Sequence, residues 1–414
     1  MGSWISKIGA GRLLVGVIGG LACLIMLGLP GLAGVEGWKV LHIAGVPALE
    51  VPFMDLRGVA TWCEAAAEGI DPAMIQTSIR MPDGTQQPNF LMNYPPVVLA
   101  LRHVGLDSNS IGLLGVLLAL VYAGAVFYLM GRIGLRAGWV WLLLFLSPLS
   151  VLLVERANLD ILVFALFALA LALRGQPALA GVSILAAGAF KLYPAAGLAA
   201  LAMRPGWKGV LFAVAGVVLF CVYLACCVPG LGSIGGSLAD QYKSCFGSDV
   251  AWDILSAHGV SLGVNERLVS FGLKVGAAIS CLVAIVVGFL MAVGSPGCSV
   301  SGRSSFAFWL SAPMLIVLFL LSNQMDYKWT FYLFMVPAVL EMVDSSGRFE
   351  RGLGRFWLAS LLIYSYWTFF SGEESLRNAL WKQGVMWLVF LATCCLAGML
   401  LKSHLSKKSH SLTQ

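Results

Sequence analysis

The feature that most constrains this chain is an apolar run of about 20 residues that recurs along its length. Stretches near 109 to 130, 208 to 228 and 268 to 292 each hold at most one charged residue. A helix rises 1.5 Å per residue, so about 20 such residues cross a hydrocarbon core of roughly 30 Å. The composition agrees: 59% of the residues are hydrophobic and 11% are charged, where a soluble domain carries about 25% charged residues. A soluble multidomain protein is therefore excluded.

Shorter apolar runs near 13 to 29, 138 to 154, 159 to 173, 306 to 321, 329 to 343, 356 to 370 and 384 to 401 extend the pattern. The run near 13 to 29 follows Lys7 and Arg12 and lacks a clear small-residue cleavage site after Pro30, which predicts a retained signal anchor. Ala178 to Met203 differs, because Lys191-Leu192-Tyr193-Pro194 interrupts its middle. Two half-helices meeting inside the membrane are expected there. The predicted fold is all-α and polytopic: a single membrane domain over 1–414 with about twelve transmembrane or half-membrane segments.

The net charge of +6 brings no Lys/Arg cluster interleaved with aromatics, so a nucleic-acid partner is not expected. Basic residues instead orient the chain, since they favour cytoplasmic loops. With the N-terminus inside, the inner loops hold 14 of the 26 Lys and Arg but only Glu341, Asp344 and Glu350 among the 20 acids. Both termini are then cytoplasmic, and two long polar segments, 30–108 and 229–267, face outward. Met54 to Glu68 and Tyr94 to Val104 are too charged or too short to span, and are expected as interfacial helices. Cys63 and Cys245 both fall in outer segments, where an oxidising side would permit a disulfide.

Charged groups at membrane depth are costly, so polar residues at helix ends carry the functional signal. Asp55 appears directly after an apolar stretch and, with Arg57, is a candidate base or an ordinary first-turn acid. Asn93 and Tyr94 precede two prolines that start the next helix. Glu155, Arg156, Asn158 and Asp160 crowd one outer turn, which suits either sugar hydroxyls and a phosphate or a capped turn with a local ion pair. Lys191, with Tyr193 beside it, is a lone cation deep in an apolar run, and a buried ammonium requires an anion. His258 and the turn holding Asp326 and Lys328 complete the candidates. No Gly-rich phosphate loop, nucleophile elbow or metal-ligand spacing occurs, so neither metal nor nucleotide cofactor is expected.

Taken in order, Asp55, then Gly69-Ile70-Asp71-Pro72, Asn93-Tyr94-Pro95-Pro96, Arg156-Ala157-Asn158-Leu159-Asp160 and Lys191-Leu192-Tyr193-Pro194 resemble the polyprenol-phosphate-mannose-dependent mannosyltransferases of glycosyltransferase family 87. The resemblance runs through the N-terminal half. It implies the membrane-embedded GT-C architecture with outer-face amphipathic helices. It also implies a polyprenyl-phosphate sugar donor, a lipid or glycan acceptor, and Asp55 as general base of an inverting displacement. Lys191 and Arg156 would hold the leaving phosphate. Two rivals stand beside it. A transporter or flippase of lipid-linked sugars would also use a broken helix, though no internal repeat is evident. An assembly subunit would make the polar set incidental.

Overall fold

The computed structural model describes residues 37–81, 84–89, 91–130, 138–227, 245–246, 248, 250, 266–295, 298, 300–320, 324–368 and 376–412. The expected anchor near 13 to 29, His258 and most of 229–267 lie outside them. The described chain is mostly helical. Five helices are long and apolar enough to cross a bilayer, within Ile111–Leu129, Trp207–Cys226, Val275–Gly294, Gly302–Leu320 and Arg377–Ser406. These make the chain a membrane protein. On Trp207–Cys226 the exposed Val214, Val217 and Val218 form a face suited to lipid.

The chain divides into two compact units, Met1–Ala195 with Val214–Ala239, and Ala196–Ala213 with Asp240–Gln414. The first holds α1 (Gly37–Ile43), α2 (Met54–Ala67), the hairpin β1 (Ser78–Arg80) and β2 (Gln86–Pro88), and a 3-10 helix over Pro96–Val104. It continues with α3 (Ile111–Met130), α4 (Gly138–Phe145), α5 (Pro148–Arg156), α6 (Asp160–Ala172) and α7 (Pro177–Phe190). Helix α6 packs between α3 and α7. Fully buried Tyr122 meets Phe164 and Phe145, at ring-centroid distances of 5.1 and 5.8 Å. The amphipathic α2 lies against the 3-10 helix and α3.

Prolines account for several departures from the predicted spans. The run near 138 to 154 is two short helices, because Pro148 starts α5 behind an N-cap Ser147, whose Oγ accepts the Ser150 N–H at 3.4 Å. The run 329 to 343 is a 3-10 helix over Asp326–Phe334 followed by a short helix that carries Pro337 in its first turn. The break expected at Lys191 is present. Helix α7 stops at Phe190, Lys191 is extended, and a 3-10 turn over Tyr193–Leu198 leads into α8 (Ala199–Ala202). Pro194 cannot donate to a helical ladder, so α7 cannot run on through it. The hairpin β1–β2, within 30–108, has no counterpart in the predicted helices.

The second unit holds α10 (Glu266–Gly294), α11 (Gly302–Leu320), α12 (Val336–Val343), α13 (Arg348–Ser365) and α14 (Leu376–Leu412). Between α8 and α10 the chain runs through α9 (Trp207–Cys227), which is shared by both units, and β3 (Cys245–Phe246). Strand β3 pairs antiparallel with β4 (Gln324–Met325). Helices α10 and α14 pack through small residues: a Cβ on Gly288 would meet Cys394 at 2.9 Å, and one on Gly398 would meet Ala292 at 2.6 Å. Lipid offers no hydrophobic drive for helix association, so such close backbone approach holds the pair.

Candidate functional site

The polar residues of the first unit converge where α2 begins, α5 ends and α7 breaks. Helix α2 starts from Phe53, which has φ +63 and lies in the left-handed region. Asp55 follows in the first turn, where a carboxylate suits the helix dipole. Helix α5 ends at Ala157, also left-handed at φ +46. For a residue with a Cβ this conformation costs about 1–2 kcal/mol, and such strain concentrates at functional sites. The turn at Ala157 delivers Asn158 and Asp160, while the break in α7 delivers Lys191 and Tyr193.

Asn158 lies at the centre. Its Nδ2 donates to Asp55 Oδ2 at 2.5 Å and reaches Tyr94 Oη at 3.4 Å. Its Oδ1 accepts from Lys191 Nζ at 2.7 Å and from the Asp160 N–H at 2.9 Å. Lys191 Nζ lies 3.0 Å from Asp160 Oδ1 and 4.7 Å from the centre of the Tyr94 ring. The Tyr193 hydroxyl donates to Asp160 Oδ1. Asp55 stands at the outer edge of this network with its side chain 27% exposed, and Arg156 Nη1 lies 4.0 Å from its Oδ1. Three oxygens in the region, Asn93 Oδ1, Glu155 Oε2 and Asp160 Oδ2, are buried with no hydrogen-bond donor among the described residues.

Asp55, Tyr94, Arg156, Asn158, Asp160, Lys191 and Tyr193 are thus brought together as the sequence suggested, but several stand differently from expectation. The anion beside buried Lys191 is Asp160. Asp160, fully buried, offers no surface to a sugar. Arg57 turns away, its Nε donating to Pro52 O at 3.2 Å, and burial pulls its guanidinium below the usual value. Glu155 lies beyond the apolar run of its helix and clamps the chain before Asp55: its Oε1 accepts the Leu49 N–H at 3.3 Å. Burial pushes this carboxyl up to about 7, against the opposing pull of Arg156 3.3 Å away. Burial likewise raises the Tyr94 hydroxyl, with Lys191 opposing.

Cys63 is a free buried thiol, its Sγ 3.8 Å from Val98 O, so the expected pairing with Cys245 is not made. Asp326 and Lys328 belong to the second unit. There buried Asp326 pairs with Lys382 of α14 and accepts the Tyr364 hydroxyl of α13. Lys382 escaped the sequence reading because it stands at the margin of the apolar run 384 to 401, not deep within one as Lys191 does. Trp62 was also missed, and its ring lies 5.6 Å from that of Tyr94. Among the described residues no group of His, Cys, Asp and Glu could hold a metal ion.

No family model, curated protein or solved structure matches this chain.

Proposed function

We propose that the chain is a membrane glycosyltransferase that moves a sugar, mannose by the resemblance stated above, from a polyprenyl-phosphate donor to a lipid or glycan acceptor. In this reading it is a GT-C-like bundle of the inner (plasma) membrane, with both termini cytoplasmic and the site on the outer face. The observation that carries the reading is the Asp55 carboxylate: partly exposed, set at the edge of a buried polar network, with a guanidinium 4.0 Å away. A base must reach the acceptor hydroxyl yet be held still, and this placement meets both needs.

The reaction is a single displacement. Asp55 takes the proton of an acceptor hydroxyl, and that oxygen attacks the anomeric carbon of the donor. The bond from that carbon to the phosphate oxygen breaks, and the electron pair leaves with polyprenyl phosphate, inverting the centre. Arg156, which keeps 16% of its side chain exposed beside Asp55, is the group suited to the departing phosphate. Lys191 is not, because Asp160 already neutralises it.

The test is sugar transfer by the purified protein in nanodiscs, from radiolabelled polyprenyl-phosphate sugars to extracted membrane lipids and glycans. Wild type is expected to transfer label, and folded Asp55→Asn to lose 100-fold or more, about the worth of a general base. No transfer from any donor would sink the reading. A transporter of lipid-linked sugars would then come first, favoured by the buried Lys191–Asp160 pair at a broken helix.

A further inference from the structure

We infer that Asn158 is the positioning residue of this site, and that Lys191 and Asp160 act through it on Asp55 rather than on a substrate. The inference rests on Asp55 being the base proposed above. It deepens that reading by assigning the residue that aims the carboxylate.

Asn158 is 2% exposed, so it touches no substrate in this arrangement. A primary amide offers two N–H donors and an oxygen with two lone pairs, and here each is matched. The nitrogen faces Asp55 Oδ2 and Tyr94 Oη, and the oxygen faces Lys191 Nζ and the Asp160 N–H. The amide has one orientation open to it. Turned over, its N–H groups would meet an ammonium and a backbone N–H, donor against donor. The ammonium therefore dictates that an N–H points at Asp55, and Asp55 Oδ2 is drawn inward while Oδ1 is left on the Arg156 side.

The supporting pieces come from three separate elements. The left-handed Ala157 turns the chain so that Asn158 points at the start of α2. The break after Phe190 brings Lys191 to the amide oxygen. Asp160 neutralises Lys191, and its side chain is fully buried. Charged and titratable groups near Asp55 among the described residues include Arg156, Glu155 and Tyr94, with Lys191 and Asp160 behind Asn158.

The experiment compares full-length wild type, Asn158→Ala and Asn158→Asp in nanodiscs, measuring kcat, donor KM and the pH dependence of kcat. Asn158→Ala is expected to lower kcat about 100-fold with KM unchanged, the cost of a base that is no longer aimed. Asn158→Asp keeps the shape, so it guards against a fold defect. It sets one carboxylate against another, and the two must share a proton. Its acid limb is expected to move to higher pH, with activity returning as pH rises. A purely structural role would leave that limb in place. An active Asn158→Asp with the wild-type pH profile overturns the inference, as does a rise in KM with kcat intact, which would make Asn158 a substrate contact. An inactive wild type sinks the transferase reading itself, a separate result.

Discussion

The backbone carbonyl of Glu155 accepts the Phe53 N–H at 2.8 Å while its side chain accepts the Leu49 N–H at 3.3 Å. One residue at the end of α5 thus holds both ends of the segment that delivers Asp55. Phe53 is held a second way: its ring lies over Gly115 of α3, where a Cβ would come within 2.5 Å of it. The aim of Asp55 depends on these two restraints from helices distant in sequence.

Glu155 makes the protein's stability depend on pH. Its folded carboxyl titrates at about 7, raised from 4.5 by burial. The folded state therefore holds a proton that the unfolded chain has lost between those values, and stability falls as pH rises from about 4.5 to about 7. The change is on the order of 3 kcal/mol. Thermal midpoints in detergent should decline over that window in wild type. In Glu155→Gln the decline should flatten, and an unchanged slope would remove Glu155 as its source.

Gly115→Ala should lower transfer by displacing the Phe53 ring and with it the start of α2. Gly124, on the same helix, has nothing within 4 Å of an added Cβ. Gly124→Ala should therefore leave transfer unaltered and raise helix stability by up to about 1 kcal/mol. Equal activity in the two variants would show that Phe53 does not govern the site.

Lys191 and Asp160 are each less than a tenth exposed. Removing one partner strands the other, at a cost of about 3–5 kcal/mol. Lys191→Met and Asp160→Asn should each lower the thermal midpoint sharply. The double variant should lose less than the sum, with a coupling of about 0.5–3 kcal/mol. Additive losses would mean the pair does not interact.

In the second unit, Lys382→Met should destabilise more than Lys402→Met. Lys382 is buried against Asp326, whereas Lys402 only donates to carbonyls at the end of α10, Val293 O at 2.7 Å and Ser295 O at 2.5 Å. Tyr364 also loses an ordered neighbour, since its hydroxyl donates to Asp326 and its ring stacks on Trp329 at 4.1 Å. Parallel thermal melts of the two variants decide the ranking.

Membrane residence, the break at Lys191 and the acid at the head of α2 were legible in the sequence, because hydropathy, proline and helix-start signals act over a few neighbouring residues. The same local signals misjudged 138 to 154, where apolar character concealed the start made by Pro148. Pairing lay beyond them. That Lys191 meets Asp160, that Glu155 clamps Phe53, and that Asp326 answers Lys382 were decided only in the tertiary structure. A buried charge announces that it needs a partner, but which partner depends on the distance between helices far apart in the chain, and only packing sets that distance.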